Sequence, residues 1–374
     1  MGDANTRWIV GCMSGTSLDG LDAALVEVRG EGLAMSARVA ACAARPLGEL
    51  GPTLAALAAG RSAEPIAHMR AARALGQLHA ELVSDLAAKH TRTRLDLIVA
   101  HGQTIWHAPH EALSWQLFDP WPLVRRLNTP VVYDLRAADL AAGGQGAPIT
   151  PLADWVMFRS ASRDRVIVNL GGICNVTTLP AGKDIHGITG ADIGPCNLLI
   201  DGVVRALYDG RCMDRDGQIA TQGHPDPLIY ELVRAAPFFD RPQPRTTGRE
   251  DFGASWLSEL IRQAQAKLEP ADVVASAVEA VARVIGDYLE RSDSAPEVVL
   301  AGGGANNPVL VERIREHCRP SPVMLSSDLG VAVEAREAAC MAVLGALTQD
   351  GVRITLQQVT GCHEPTLAGA WVYP

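Results

Sequence analysis

The sequence predicts an α/β protein built from two similar halves, each with a sheet covered by helices. Three observations predict it. Short apolar runs alternate with Ala- and Leu-rich stretches at helical spacing. A unit of strand, small-residue turn and strand occurs twice, at Trp8 to Val28 and at Val166 to Leu179. Three apolar runs end in glycine-rich loops, at residues 11–20, 171–175 and 302–307.

In order along the chain, Trp8-Ile9-Val10 is an apolar run that opens into GCMSGTSLDG, residues 11–20. Asp22 to Val28 is a second run, so the two strands form a hairpin. Residues 47–90 read as two or three helices. Leu95 to Ala100 is a buried strand that runs into HGQTIWH, residues 101–107. Pro130 to Asp134 is another, followed by RAADLAAGGQGAP, residues 136–148. Val166 to Leu170 enters GGICN, residues 171–175, and Val176 to Leu179 continues as a strand. TGADIGPCN, residues 189–197, leads into a helix from Leu198. Residues 209–252 read mostly as loop, and 253–291 as helix. Pro296 to Ala301 is a strand leading into GGGANN, with a helix from Pro308, whose fixed φ suits a first turn. Residues 330–348 form one more Ala-rich helix. These elements divide the chain into a first domain of 1–137 with 346–374 and a second of 138–345.

Bulk properties exclude several function classes. The 374 residues are 48% hydrophobic and 20% charged, enough for substantial cores. The net charge of −9 argues against a nucleic-acid groove, which needs a basic surface. It leaves room for a small anion held by backbone N–H groups. The eight cysteines are scattered, with neither a C-x-x-C pair nor Cys/His ligand spacing. They read as reduced thiols of a cytoplasmic protein, not as a disulfide framework or a zinc site. No secretory signal and no membrane-spanning apolar run are expected.

The three glycine loops carry the chemistry. Glycine permits positive φ and close backbone approach, and successive N–H groups form an anion-binding concavity. Ser14, Thr16 and Ser17 add hydroxyl donors to Gly11, Gly15, Leu18 and Gly20. Asp19 and Asp22 are placed to help position Mg²⁺, through water where direct reach fails. Any one loop alone reads as a tight turn. Three of them at strand ends, in two similar halves, read as a nucleoside triphosphate site. The phosphates then lie against the two hairpins and the nucleoside near the third loop. Neither G-x-x-x-x-G-K-[ST] nor G-x-G-x-x-G is present.

GCMSGTSLDGLD, AHGQTIWH, DLRAADLAAGGQGAP, NLGGICN, DIGPCN and AGGGANNP together resemble, in this order, the anhydro-N-acetylmuramic acid kinases. The resemblance runs from Ile9 to Gly361. It implies the actin-like (ribonuclease H-like) fold of two domains with ATP in the cleft between them. It assigns Gly11, Ser14, Gly15, Thr16, Ser17, Leu18, Asp19, Gly20, Asp22, Asn169, Gly171, Gly172, Asn175, Gly302, Gly303, Gly304 and Asn306 to ATP, and Mg²⁺ to Asp19. It implies a reaction in which a 1,6-anhydro sugar is hydrolysed and phosphorylated at O6, a step in recycling cell-wall peptidoglycan. It also suggests a homodimer.

That reaction needs a base for water and a way to stabilise departing O6. Asp192 in GADIGPCN is the expected base; the alternative is a helix N-cap. The family motif has Phe before this Asp, Thr after it, and usually Gly or Ala after the Pro. Here Ala191, Ile193 and Cys196 stand in those places, which bears on the shape of the sugar pocket. Arg136 is expected to pair with the lactyl carboxylate through its guanidinium fork; the alternative is a structural ion pair with Asp134 or Asp139. His101, Gln103 and Thr104 follow a strand end, where α/β sites collect side chains. His101 and His107 have satisfied structural histidines as their alternative. EAACMAVLG resembles the helix that carries the family's sugar-binding Glu, which maps to Glu337, with Glu334 one turn earlier. Gly143, Gly144 and Gly146 are expected at the crossing between the halves, either as a hinge or as a rigid loop. Two rival readings stand beside this one. A kinase for another anhydro sugar such as levoglucosan would keep the phosphate loops and differ around Arg136. A non-catalytic ATP-binding regulator or chaperone-like protein on the same fold is the second; of these, an Hsp70-like protein would need a substrate-binding domain, for which no residues are expected after position 361.

Overall fold

The computed structural model describes residues 6–15, 18, 20–61, 63–90, 94–182, 184–242, 245, 247, 251–291 and 294–374. Thr16, Ser17 and Asp19 lie outside the described residues. The chain divides into two compact units, 1–158 with 330–374 (unit 1) and 159–329 (unit 2).

Unit 1 begins with strands β1 (Thr6–Ser14), β2 (Gly20–Arg29) and β3 (Ser36–Pro46), then helices α1 (Leu50–Ala58) and α2 (Pro65–His90). Strands β4 (Leu97–Ala100), β5 (Gln103–Ala108) and β6 (Leu113–Leu117) follow. Helix α3 (Trp121–Leu127), strand β7 (Val131–Tyr133), and helices α4 (Ala137–Ala141) and α5 (Pro151–Phe158) complete this part. Unit 2 holds β8 (Arg165–Leu170), β9 (Ile173–Leu179), β10 (Thr189–Pro195), α6 (Asn197–Leu207), α7 (Pro227–Arg234) and α8 (Ala254–Gln265). It continues with α9 (Pro270–Leu289), β11 (Glu297–Ala301), α10 (Pro308–His317) and β12 (Val323–Leu325). The chain then returns to unit 1 with α11 (Arg336–Gln349), α12 (Gln357–Thr360) and β13 (Ala370–Val372).

The two main sheets share one plan. In unit 1 the order is β13-β7-β4-β1-β2-β3, and in unit 2 it is β10-β9-β8-β11-β12. Each has three consecutive antiparallel strands, β1-β2-β3 or β8-β9-β10. Each then adds two parallel strands beside its first, β4 and β7 or β11 and β12. This doubled strand order is the ribonuclease H-like arrangement of the actin-like fold. β4 is buried throughout, as parallel strands covered on both faces are.

The strand period places unit 1's sheet between two helices. Val10, Cys12, Leu21, Ala23 and Leu25 join a core with Leu75, Leu82, Val83 and Leu86 of α2. Gly11 alternates to the other face, where α11 lies. A Cβ on Gly11 would sit 2.0 Å from the Ala338 carbonyl oxygen, and one on Gly345 would sit 2.2 Å from Val99 Cγ2. Gly11 therefore lets the β1 and α11 backbones touch, and Gly345 makes room for the Val99 side chain of β4. Ala338 to Thr348 are all buried, as expected of a helix covered all round. Arg336, 1% exposed, donates from Nε to Asp154 Oδ1 of α5 at 2.8 Å.

Several boundaries differ from expectation. The 138–158 and 330–345 segments belong to unit 1, because α5 and α11 are joined by that buried ion pair. The glycine loop at 143–148 thus lies inside unit 1 and not at the division. Its Gly144 and Gly146 amides are tied to Asp139, at 2.8 Å to the carbonyl oxygen and 2.7 Å to Oδ2 respectively. Residues 209–252 contain α7, capped by Asp226 Oδ1 accepting from the Leu228 amide at 2.9 Å. Residues 253–291 are two helices, split where Pro270 starts the second. Among the described residues no helix is long and apolar enough to cross a membrane.

Candidate active site

The expected residues fall in two groups, one in each unit. In unit 1 they gather at the C-terminal ends of β1 and β4. The His101 amide donates to the Cys12 carbonyl at 3.1 Å, which holds the 101–103 turn against β1. Ser14 Oγ donates to Gln103 Oε1 at 2.6 Å, and Gln103 Nε2 donates to the Gly15 carbonyl at 3.3 Å. Gln103 therefore braces the glycine turn. Thr104 is bonded to Gln116 across the β5–β6 hairpin at 2.8 Å. Gly11, by contrast, lies inside β1, and its missing side chain is accounted for by α11. Gly20 opens β2 opposite Pro46, and Asp22 is paired with Met13. Leu18 takes a left-handed backbone, φ 60°.

Arg136 reaches the same region. Its Nη1 donates to the Gly146 carbonyl at 2.6 Å, and its Nε lies 3.4 Å from His101 Nε2. A guanidinium only donates, so His101 Nε2 accepts and the ring proton is on Nδ1. Nδ1 is buried with no protein partner, a group that normally demands one. Burial, then the charge of Arg136, hold His101 well below the usual histidine range and so neutral. His107 is lowered to about 4 by the same two causes. His107 also contacts Ser114 Oγ at 3.2 Å. Glu337 is half-buried in the first turn of α11, whereas Glu334 is exposed and precedes the helix.

In unit 2 three loops meet at the ends of β8 and β11. The Gly171–Gly172 turn receives the first amides of α6. Gly171 O accepts from Asn197 N at 3.0 Å, and Gly172 O accepts from Cys196 N and Leu198 N at 3.0 and 3.1 Å. Asn197 Nδ2 donates to Leu170 O at 2.9 Å. Gly302, at φ 85°, passes so close that a Cβ would lie 2.7 Å from Asn169 Oδ1; Gly304 is as close to Leu170 and Asn197. Around Gly172, in contrast, a Cβ would meet nothing within 4 Å, and Gly303 is nearly as open. The tight glycines bring the loops together, and the open ones face free space that a ligand can enter. Asn306 is exposed, and its neighbour Asn307 caps α10.

Asp192 sits in β10, paired with Asn175 of β9 beside a register shift. It does not cap α6, whose cap position is Cys196. Its Oδ2 accepts from the Thr247 amide at 2.8 Å, and its own amide donates to the Arg245 carbonyl at 2.9 Å. Thr247 Oγ1 donates in turn to Asp251 Oδ2 at 2.6 Å. Thr247 thus holds the Asp192 carboxylate and Arg245 its backbone, both from a distant part of the chain. Nothing in the sequence marks that segment except its polarity. All eight cysteines are free thiols, and among the described residues no cluster of three His, Cys, Asp or Glu could hold a metal.

Two ribonuclease H-like units, each opening on a glycine hairpin, define a protein of the actin-like class, to which the sugar kinases belong. The family model for anhydro-N-acetylmuramic acid kinase matches residues 7–374, and the chain belongs to that family. A relative of that name from Salinibacter ruber is 36% identical, with 98% of this chain and 96% of the relative covered. One from Synechococcus sp. is 37% identical over 98% of this chain and 99% of the relative. Among solved structures, the activator of 2-hydroxyisocaproyl-CoA dehydratase from Clostridium difficile with bound ADPNP has a TM-score of 0.49 at 12% identity. That match covers 92% of this chain and 96% of the activator. At that level the fold assignment stands on the strand order.

Proposed function

We propose that the protein uses ATP to open 1,6-anhydro-N-acetylmuramic acid and phosphorylate O6, giving N-acetylmuramic acid 6-phosphate and ADP. The observation that carries this reading is the setting of Asp192. It is a half-buried carboxylate on a strand, beside the glycine turn, with one oxygen held by an amide and no helix to cap. Such a group is oriented to take a proton from water as that water attacks C1. The C1–O6 bond breaks, and O6 takes the γ-phosphoryl group as its charge develops. Phosphoryl transfer then needs positioning and charge neutralisation from the loops rather than covalent help.

In this reading the 11–20 loop, the 171–175 turn and the 302–307 loop hold ATP. Mg²⁺ would come with the nucleotide, and Asp22 would be the described carboxylate to help hold it, with Asp19, outside the described residues, as the other candidate. Mg²⁺ supplies neutralisation of phosphate charge. His101 offers a neutral Nδ1–H donor to the sugar, and Arg136 and Glu337 contact its carboxylate and hydroxyl groups. Gln103 acts through Ser14 and Gly15, keeping the turn in shape. The protein works in the cytoplasm, as a homodimer, in peptidoglycan recycling.

The test is mass spectrometry of the product formed from the anhydro sugar, ATP and Mg²⁺ in ¹⁸O-water. A phosphorylated sugar labelled at C1, with one ADP per product, is expected. ADP without phosphorylated sugar would overturn the substrate assignment.

A further inference from the structure

Unit 2 carries a second concentration of charge, which the kinase reaction does not use. A small open pocket is lined by Arg234, Arg245, Arg291, Ile193, Phe239 and Tyr288, with Asp287 and Val284 completing it. Three guanidiniums face one carboxylate there, in a chain whose net charge is −9. Asp287 is already engaged by Tyr230 Oη, which donates to its Oδ2 at 2.5 Å. Arg241, nearby, is paired with Asp251. Arg245 is 8% exposed and stacks over Phe238 at 4.2 Å and Phe239 at 5.2 Å. Its Nη1 donates to the carbonyls of Phe239 and Arg241, but its Nε is buried with no partner. Burial, followed by the charges of Arg291, Arg234 and Arg241, disfavours its protonated form. Arg234 is held over the other aromatic ring of the pair, 4.5 Å from Phe239. Stacking on rigid rings fixes guanidinium planes and leaves their edges to donate.

We propose that Arg234, Arg245 and Arg291 form an anion site for a phosphate-bearing small molecule. A phosphate group offers the acceptors that the unpartnered Nε lacks and the charge that the cluster needs. The site is too small and isolated for a nucleic-acid backbone. It also touches the chemistry. The Arg245 carbonyl accepts the Asp192 amide, Thr247 binds the Asp192 carboxylate, and Ile193 lines the cavity. Occupancy therefore steadies the strap formed by Arg245 and Thr247, on which Asp192 rests.

The test uses the full chain with ADPNP and Mg²⁺ at saturation, so that the ATP loops are filled. Inorganic phosphate is titrated against chloride at matched ionic strength. The readouts are the melting midpoint and amide exchange at Thr247. In the wild type phosphate raises the midpoint saturably and slows exchange at Thr247 several-fold. In R234Q/R291Q, which leaves the Arg245 backbone bonds in place, both responses vanish. R291Q alone, on an exposed side chain, gives the same comparison where the double variant loses its fold. No saturable effect in the wild type, or an equal effect in the variants, would overturn the proposal. The strap's influence on rate rests on Asp192 being the base, but the binding and exchange readouts do not. Full turnover of Asp192→Asn would remove the base assignment and leave them standing.

Discussion

In unit 1 the glycine after Val10 lies inside a strand, and helix backbone fills the space its side chain would take. In unit 2 Gly172 stands at the apex of the turn with open space around it. The two hairpins share a strand order and occupy the same place in their sheets. In the first, α11 covers Gly11 in the strand, and the functional groups are the buried side chains of Ser14, Gln103 and His101 with the half-buried Arg136. The second is backed by the start of α6, and its offering is backbone and open space. A glycine-rich loop is thus two devices. One lets secondary structures touch, and the other clears room for a ligand.

The comparison is broken most strongly at Asp192, where unit 2 supplies the one group expected to react. Asp192→Asn keeps an oxygen to accept from Thr247, so the strand and strap remain in place. Without a base the kcat should fall by about 10³-fold, the middle of the range for losing general-base catalysis. ATP affinity, measured by calorimetry, should change less than about threefold, since nothing in the phosphate loops has moved. Wild-type turnover in this variant would move the base elsewhere.

The two glycines separate next. Gly11→Ala forces a methyl against the Ala338 carbonyl and the Ala342 amide, both backbone atoms that cannot swing aside. Overpacking of this kind costs about 3 kcal/mol, near the top of its usual range. The chemical-denaturation midpoint should drop accordingly. Gly172→Ala meets nothing, so stability should stay within about 0.5 kcal/mol, the ordinary range for an uncrowded surface change. Its effect should appear in the KM for ATP. If the two variants behave alike, the distinction between packing and ligand glycines fails.

The sequence could not make that distinction, because both glycines follow apolar runs and only the arrival of α11 tells them apart. It did show both hairpins, since β1 and β8 are continuous apolar runs of buried strands. It hid β3. SARVAACAARP is half-exposed and rich in alanine, which has little strand preference. It also hid α7, although Asp226-Pro227 is a start signal, because the surrounding prolines and arginines read as loop. Among the site residues Asp192 was legible. Its holders at 245 and 247, more than fifty residues away, were not. Nor was the Ser14–Gln103 bond, which depends on β4 lying parallel to β1.

The smallest expected effect concerns acid. The three histidines held below their usual range, His79, His101 and His107, all belong to unit 1. His79 shows the sign most simply. It is fully buried, its Nδ1 contacts the Leu75 carbonyl at 2.8 Å, and burial lowers it to about 4. The unfolded chain, titrating near the ordinary value of about 6.5, takes up a proton that the folded chain refuses between those two values. Stability is therefore highest above about pH 6.5 and declines as pH falls toward 4. From pH 7 to pH 5 the loss from His79 is about 2 kcal/mol by linkage. Protection factors, with the pH dependence of intrinsic amide exchange divided out, should fall in unit 1 over that interval while those of unit 2 change less, and His79→Gln should remove its share of the slope. An equal fall in both units would mean that they open together, and the contrast in their histidines would then have no separate consequence.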